Sequence, residues 1–211
     1  FGAEYILVDG ATNRLASASP LVTEATILAT GAVLGSTMTD VIRKTIFRCA
    51  ILNTPCVEEE ALLSAAQEGL KRGNAAVVHR DGINYQVDPI RARLPLIAGA
   101  RLKEKYRMES VALILGGALI DSVLKEAMDF FDELPVVVVK DASKIFISPE
   151  IYYRYLGRGG KIRVVRRINL VAVTLNPTNP VGKGFNPQLF LKRMTEALSP
   201  LPVFDLVLET N

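Results

Sequence analysis

The sequence predicts an α/β protein: a mostly parallel sheet with helices on both faces, of P-loop or Rossmann-like type, with room for two subdomains. Three observations carry that prediction. Strand-like and helix-like stretches alternate along the chain, the pattern of strand–helix–strand units. Pro135-Val-Val-Val-Val139 is a continuous β-branched run, as expected of a strand buried on both faces. Loops of small and polar residues follow Val8, Thr30, Leu115 and Thr174, where such folds bind their ligands.

In chain order, Tyr5 to Val8 is a short run of β-formers that Asp9-Gly10 breaks. A polar loop with Asn13, Arg14, Ser17 and Ser19 follows. Ala25 to Thr30 predicts a second buried strand, bounded by Gly31. Ser36 is a candidate N-cap for a helix over Thr37 to Cys49, where Val41, Ile42, Thr45, Ile46 and Cys49 recur at helical spacing. Pro55 marks a break. Val57 to Arg72 predicts a helix with Glu58, Glu59 and Glu60 in its first turn, Lys71 and Arg72 in its last, and Gly73 as its stop. Ala75 to His79 and Ile83 to Val87 flank Arg80-Asp81-Gly82 as a β-hairpin.

An irregular stretch from Asp88 to Pro95 leads to a helix expected over Ala98 to Tyr106. The alternation then becomes regular. Ser110 to Leu115 is a strand, Ile120 to Phe131 an amphipathic helix, and Pro135 to Val139 a strand followed by Lys140-Asp-Ala-Ser-Lys144 and Ile145-Phe-Ile147. Ser148-Pro149-Glu150 opens a short helix through Tyr155, with Ser at N-cap and Pro at N1. Lys161 to Arg167 is a basic strand or edge. Asn169 to Thr174 is a buried strand, Leu175 to Pro187 an irregular loop, Gln188 to Leu198 a helix, and Pro202 to Val207 a final strand. A soft boundary near Pro55–Gly73 divides a unit over 1–56 from a fuller α/β unit over 57–211.

With 211 residues the chain can bury a sizeable core. Its 49% hydrophobic and 22% charged residues are those of a globular protein. A net charge of +3, with no interleaving of basic and aromatic residues, gives no support to nucleic-acid binding. No apolar run approaches the ~18 residues of a membrane span, and no basic-then-apolar signal segment opens the chain. Cys49 and Cys56 form neither a disulfide framework nor a metal spacing, which suits a reducing compartment, so a cytoplasmic location is expected. One histidine, His79, and no nucleophile elbow leave hydrolase triads without support.

Asp9 is the first candidate for chemistry. An apolar strand that delivers an acid at its carboxyl end is how P-loop proteins hold Mg²⁺, although Asp-Gly also ends strands simply because it turns well. The loop Thr30 to Ser36 could admit an anion to helix N–H groups, yet it contains neither GxGxxG nor GxxxxGK[ST]. Asn176, Asn179 and Lys183 could supply polar groups above the carboxyl-terminal part of the sheet. Gly182-Lys183 is not a Walker A motif, because Gly184 stands in the Ser/Thr position. Arg158, Arg163, Arg166 and Arg167 could form an anion patch.

The opening residues Phe1 to Pro20, the segment Ala25-Thr-Ile-Leu-Ala-Thr-Gly-Ala32, and the late loop from Val173-Thr-Leu-Asn-Pro177 through Gly184-Phe185 resemble a bacterial family found with adenosylcobalamin-dependent lysine 5,6-aminomutase. Its members look like a reactivase or accessory subunit of that enzyme. The resemblance covers most of the chain. It implies that Asp9 is a Walker B acid for Mg²⁺ in an ATP-binding domain, with Asn13 and Arg14 toward a phosphate or partner and Thr30-Gly31 lining the crevice. The family's P-loop would precede Phe1, so independent ATP hydrolysis by these residues is not expected. Implied partners are the aminomutase and an ATPase partner subunit, and a homo-oligomer is compatible with the pattern. Two other readings stay open: a small-molecule-binding unit around Asn176 and Lys183, and a binding module whose loops serve a protein partner.

Overall fold

The computed structural model describes residues 2–10, 15–72, 75–90, 105 and 107–206, and they form an α/β protein of mixed and parallel sheets. The strands are β1 (Thr26–Gly31), β2 (Ala75–Asp81), β3 (Asn84–Ile90), β4 (Ser110–Leu115), β5 (Leu119–Ile120), β6 (Val136–Val139), β7 (Ile145–Phe146), β8 (Lys161–Val164), β9 (Leu170–Asn176) and β10 (Val203–Asp205). The helices are α1 (Met38–Leu52), α2 (Glu60–Arg72), α3 (Asp121–Phe130), α4 (Pro149–Gly157) and α5 (Pro187–Leu198).

These strands make three sheets where the sequence predicts one. A five-stranded sheet has the order β3-β2-β4-β6-β8; the β2–β3 and β2–β4 pairs are antiparallel, β4–β6 and β6–β8 parallel. A three-stranded sheet, β1-β9-β10, is parallel throughout, and β5–β7 is a small parallel pair. β1 runs alongside β9 from Thr26↔Leu170 to Gly31↔Asn176. A strand from 1–56 therefore shares a sheet with strands from 57–211. Side chains alternate across a strand, and the central strands divide accordingly between two buried clusters. Val77, Leu113 and Val137 join Leu124 and Met128 of α3, while Ala76, Ala112, Ile114 and Val138 join Leu62 and Ala66 of α2.

Local chemistry explains most boundaries. Thr37, one residue after the expected Ser36, caps α1 by accepting from Asp40 N. Ser148 caps α4 with Pro149 in the first turn, and Asn186 caps α5 by accepting from Leu189 N. Gly82, with φ 60°, supplies the left-handed residue of the β2–β3 turn. Tyr155 is fully buried and donates its hydroxyl to the Pro135 carbonyl, tying α4 to the start of β6.

Three expectations are corrected. Tyr5 to Val8 is not a strand: it has no ladder partner among the described residues, and Tyr5, Ile6 and Leu7 are 87%, 81% and 95% exposed. β-propensity alone does not make a strand without a neighbour. Helix α2 begins at Glu60, not Val57, because Cys56 bridges to Val164 and Val57 N donates to Val164 O, which holds this stretch extended beside β8. Glu60 is then the one acid in its first turn, and Glu59 instead accepts from the Tyr85 hydroxyl. The last strand stops at Asp205. The helix expected over 98–106 falls outside the described residues except at Lys105.

Candidate functional site

The site starts from β6. Its four valines carry the chain through the buried sheet to Lys140-Asp141 at the strand's carboxyl end. Asp141 is buried, and both its carboxylate oxygens are engaged. Oδ1 accepts from Ser143 N at 2.9 Å, which turns residues 142–144 into a short 3₁₀ helix. Oδ2 accepts from Ser19 Oγ at 2.9 Å across a buried contact. That second bond anchors the opening loop to the end of β6. Within the loop, Ser19 O accepts from Val22 N and Thr23 N, and Thr23 Oγ1 donates to Ser17 O.

The anchored loop and the turn after β6 enclose a cleft of about 330 Å³ lined by Asp9, Gly10, Leu15, Ala16, Ser17, Ser143, Lys144 and Phe146. That volume lies at the small end of the range for ligand sites. It brings together a carboxylate (Asp9), an ammonium (Lys144), two serines (Ser17, Ser143) and the half-exposed ring of Phe146. Ser143 is buried, and its Oγ has no hydrogen-bond partner among the described residues. The Oγ itself is shielded from solvent, so it is not a ligand-facing group of the cleft. No group of three or more His, Cys, Asp or Glu is placed to hold a metal among the described residues. A metal arriving with a phosphate ligand needs less, since Mg²⁺ is commonly held by one or two carboxylates plus phosphate oxygens.

The other sequence candidates among the described residues lie elsewhere. Asn13 and Arg14 fall outside the described residues. Thr30 is buried and bonds the Thr45 hydroxyl at 2.7 Å; because Thr45 donates to Val41 O, Thr30 is the donor. It fastens β1 to α1 and does not face the cleft. Gly31 is paired with Asn176, and a side chain there would meet the Asn176 carbonyl. Asn176 and Asn179 accept from Thr178 N and Val181 N, turning their own loop. Lys183 is exposed on that loop. Thr30, Gly31, Asn176, Asn179 and Lys183 do not line the cleft with Asp9. Arg158, Arg163 and Arg167 donate to three separate acceptors, Met128 O, Ile162 O and Asn53 Oδ1.

Two groups with intrinsic reactivity are put out of use by burial. The Cys49 thiol is pushed up to about 11, leaving it protonated at neutral pH. His79 is buried, and its Nδ1 lies 2.9 Å from Ser110 Oγ. Burial, with Arg107 as a second cause, lowers its pKa below the usual 6.5. The unfolded chain therefore binds the proton more readily, so this residue's stabilisation is complete above pH ~6.5 and is lost as pH falls through the folded value. The urea midpoint should drop between pH 7.5 and pH 5, and His79→Gln should flatten that dependence. An unchanged slope in the variant would assign it to other groups.

Asp141, Ser143 and Lys144 are not among the site candidates the sequence offers, although the signal is present. Val136 to Val139 ending in Lys140-Asp141 is the same strand-then-acid pattern that singles out Asp9, and here the strand exists. No helix among the described residues is long and apolar enough to cross a membrane. In comparisons with known proteins, no family model, no curated protein and no solved structure matches the chain.

Proposed function

We propose that the chain binds a phosphate-bearing ligand, a nucleoside triphosphate such as ATP with Mg²⁺, in the cleft between its opening loop and the carboxyl end of β6. One observation carries this reading: the side chains of Asp9 and Lys144 border one small cleft beside an exposed aromatic ring. Lys144 meets phosphate oxygens, Asp9 takes the accompanying cation, and Phe146 offers a face to a base. The position, beyond a parallel strand's carboxyl end, is where α/β sheets bind ligands. In this reading the architecture is of P-loop or Rossmann-like type with helices on both faces of the sheet. The cleft has no glycine-rich phosphate cradle among its lining residues, so the activity proposed is binding and not independent hydrolysis.

The resemblance of residues 1–20 and 25–32 to accessory subunits of adenosylcobalamin-dependent aminomutases supplies the proposed setting. Nucleotide occupancy of the cleft would bias the chain's contact with such an enzyme and assist its reactivation.

Calorimetric titration with Mg·ATP tests the reading. Lys144→Ala is expected to weaken binding about tenfold or more, consistent with loss of a charge-assisted hydrogen bond of about 1.5–3 kcal/mol. Lys183→Ala, on the distant loop, should bind as the parent does. Binding unaffected by Lys144→Ala, or abolished by Lys183→Ala, would move the site to the carboxyl-terminal loop.

A further inference from the structure

The strand edges of this protein are protected unequally. A free edge invites pairing with another chain, and proteins blunt edges with charge, proline or short length. β3, one edge of the five-stranded sheet, carries Asp88 and Pro89; β8, the other, carries Lys161 and Arg163. β10, one edge of the three-stranded sheet, is only three residues long. β1, the opposite edge, is Thr-Ile-Leu-Ala-Thr-Gly over six residues, with no charge and no proline. Its Ile27 is 57% exposed. β1 alone among these edges is protected by neither charge, proline nor short length; a register shift between Thr26 and Ile27 leaves Ile27 to Gly31 in regular pairing with β9.

The same chain carries an unpaired strand-former. Tyr5-Ile-Leu-Val8 has high β-propensity, makes no ladder, and leaves three of its four side chains more than 80% exposed. Its root is fixed at the cleft: Asp9 lines it beside Ser143 and Phe146, and the following loop is anchored on Asp141. Within one chain, donor and edge do not pair.

We propose that two copies of this chain exchange arms, Tyr5–Val8 of each adding as a strand to the β1 edge of the other. The exchange is reciprocal under a two-fold axis, so one dimer closes both edges and buries both arms. Backbone ladder bonds supply the attachment, and alternate arm side chains meet the sheet face that bears Ile27. The inference does not depend on what the cleft binds.

Sedimentation velocity on the full chain reads the outcome directly. The parent should sediment with twice the mass of a single chain. Leu7→Glu on the arm and Ile27→Lys on the edge replace exposed side chains, so each should fold normally and each should shift the mass to that of one chain. An equimolar mixture of the two variants retains one intact arm and one intact edge, and should recover part of the dimer. A parent that stays monomeric as concentration rises overturns the proposal, whether its arm is free or protected in hydrogen exchange. So does a dimer that survives both substitutions, which would place the interface elsewhere. Failure of the mixture to associate while the parent dimerises would also count against arm exchange.

Discussion

Asp141→Ala is expected to lower the unfolding free energy by about 3 kcal/mol, the sum of two donors left buried without acceptors at about 1–3 kcal/mol each. The two donors are Ser143 N and Ser19 Oγ, both 2.9 Å from the carboxylate. Ser19 can turn its hydroxyl elsewhere, whereas the Ser143 amide is fixed, which keeps the figure in the lower half of the summed range of about 2–6 kcal/mol. Asp141→Asn retains one acceptor oxygen for Ser143 N and presents an amide N–H₂ to Ser19 Oγ, which can accept. Its cost should be about half as large. Urea unfolding of the three proteins separates the cases. Equal losses for Ala and Asn would mean that the site needs charge and not hydrogen-bond geometry.

The same substitution reaches the cleft. Ser19 is the link between Asp141 and the loop that carries Ser17 and flanks Asp9, so loss of the bond frees one wall. Ligand affinity should fall in Asp141→Ala even at temperatures where the protein stays folded. Ser19→Ala removes the same tie while leaving the Ser143 cap in place. Comparing the two variants assigns any affinity change to the wall or to the turn.

The sequence carries the local part of this fold clearly. β4 spans Ser110–Leu115 as expected, the Asp81-Gly82 turn joins β2 to β3, and Ser148-Pro149 starts α4. Each depends on residues close together: a period-independent apolar run, a residue tolerating positive φ, a hydroxyl three residues from an amide. What sequence could not supply is pairing between distant segments. β1 and β9 are far apart in the chain, and nothing local in Thr26–Gly31 says which strand it will join. The bridge from Cys56 to Val164 similarly overrides the helical pattern at Val57–Glu59. Tyr5–Val8 shows the converse, a strand signal that pairs with no strand among the described residues. Asp9 was legible as a candidate, but its neighbours were not, because the buried bond that brings the loop to Asp141 spans most of the chain.

Gly31→Val should destabilise the protein by about 3 kcal/mol, the upper part of the range for forcing bulk into a packed site. Propensity alone argues the other way, since a β-branched residue is favoured over glycine in a strand. Gly31 is in extended backbone, which any residue adopts, so the constraint is one of space. A Cβ there would sit 2.6 Å from the Asn176 carbonyl oxygen and 3.1 Å from the Asn176 Cβ. The nearest obstacle is backbone in the paired strand, which cannot swing aside as a side-chain tip can; β1 and β9 would have to part at their carboxyl ends. Ala29→Val, two residues earlier on an exposed position of the same strand, provides the control and should change stability by less than about 0.5 kcal/mol. The pair also decides between two roles for Gly31. A glycine that lines the ligand crevice would lose affinity on substitution with stability nearly intact. One that permits close approach of β1 to β9 loses stability while the folded fraction binds as before. Urea unfolding and Mg·ATP titration of both variants distinguish these outcomes, and equal stability of the two valine variants would defeat the close-packing account.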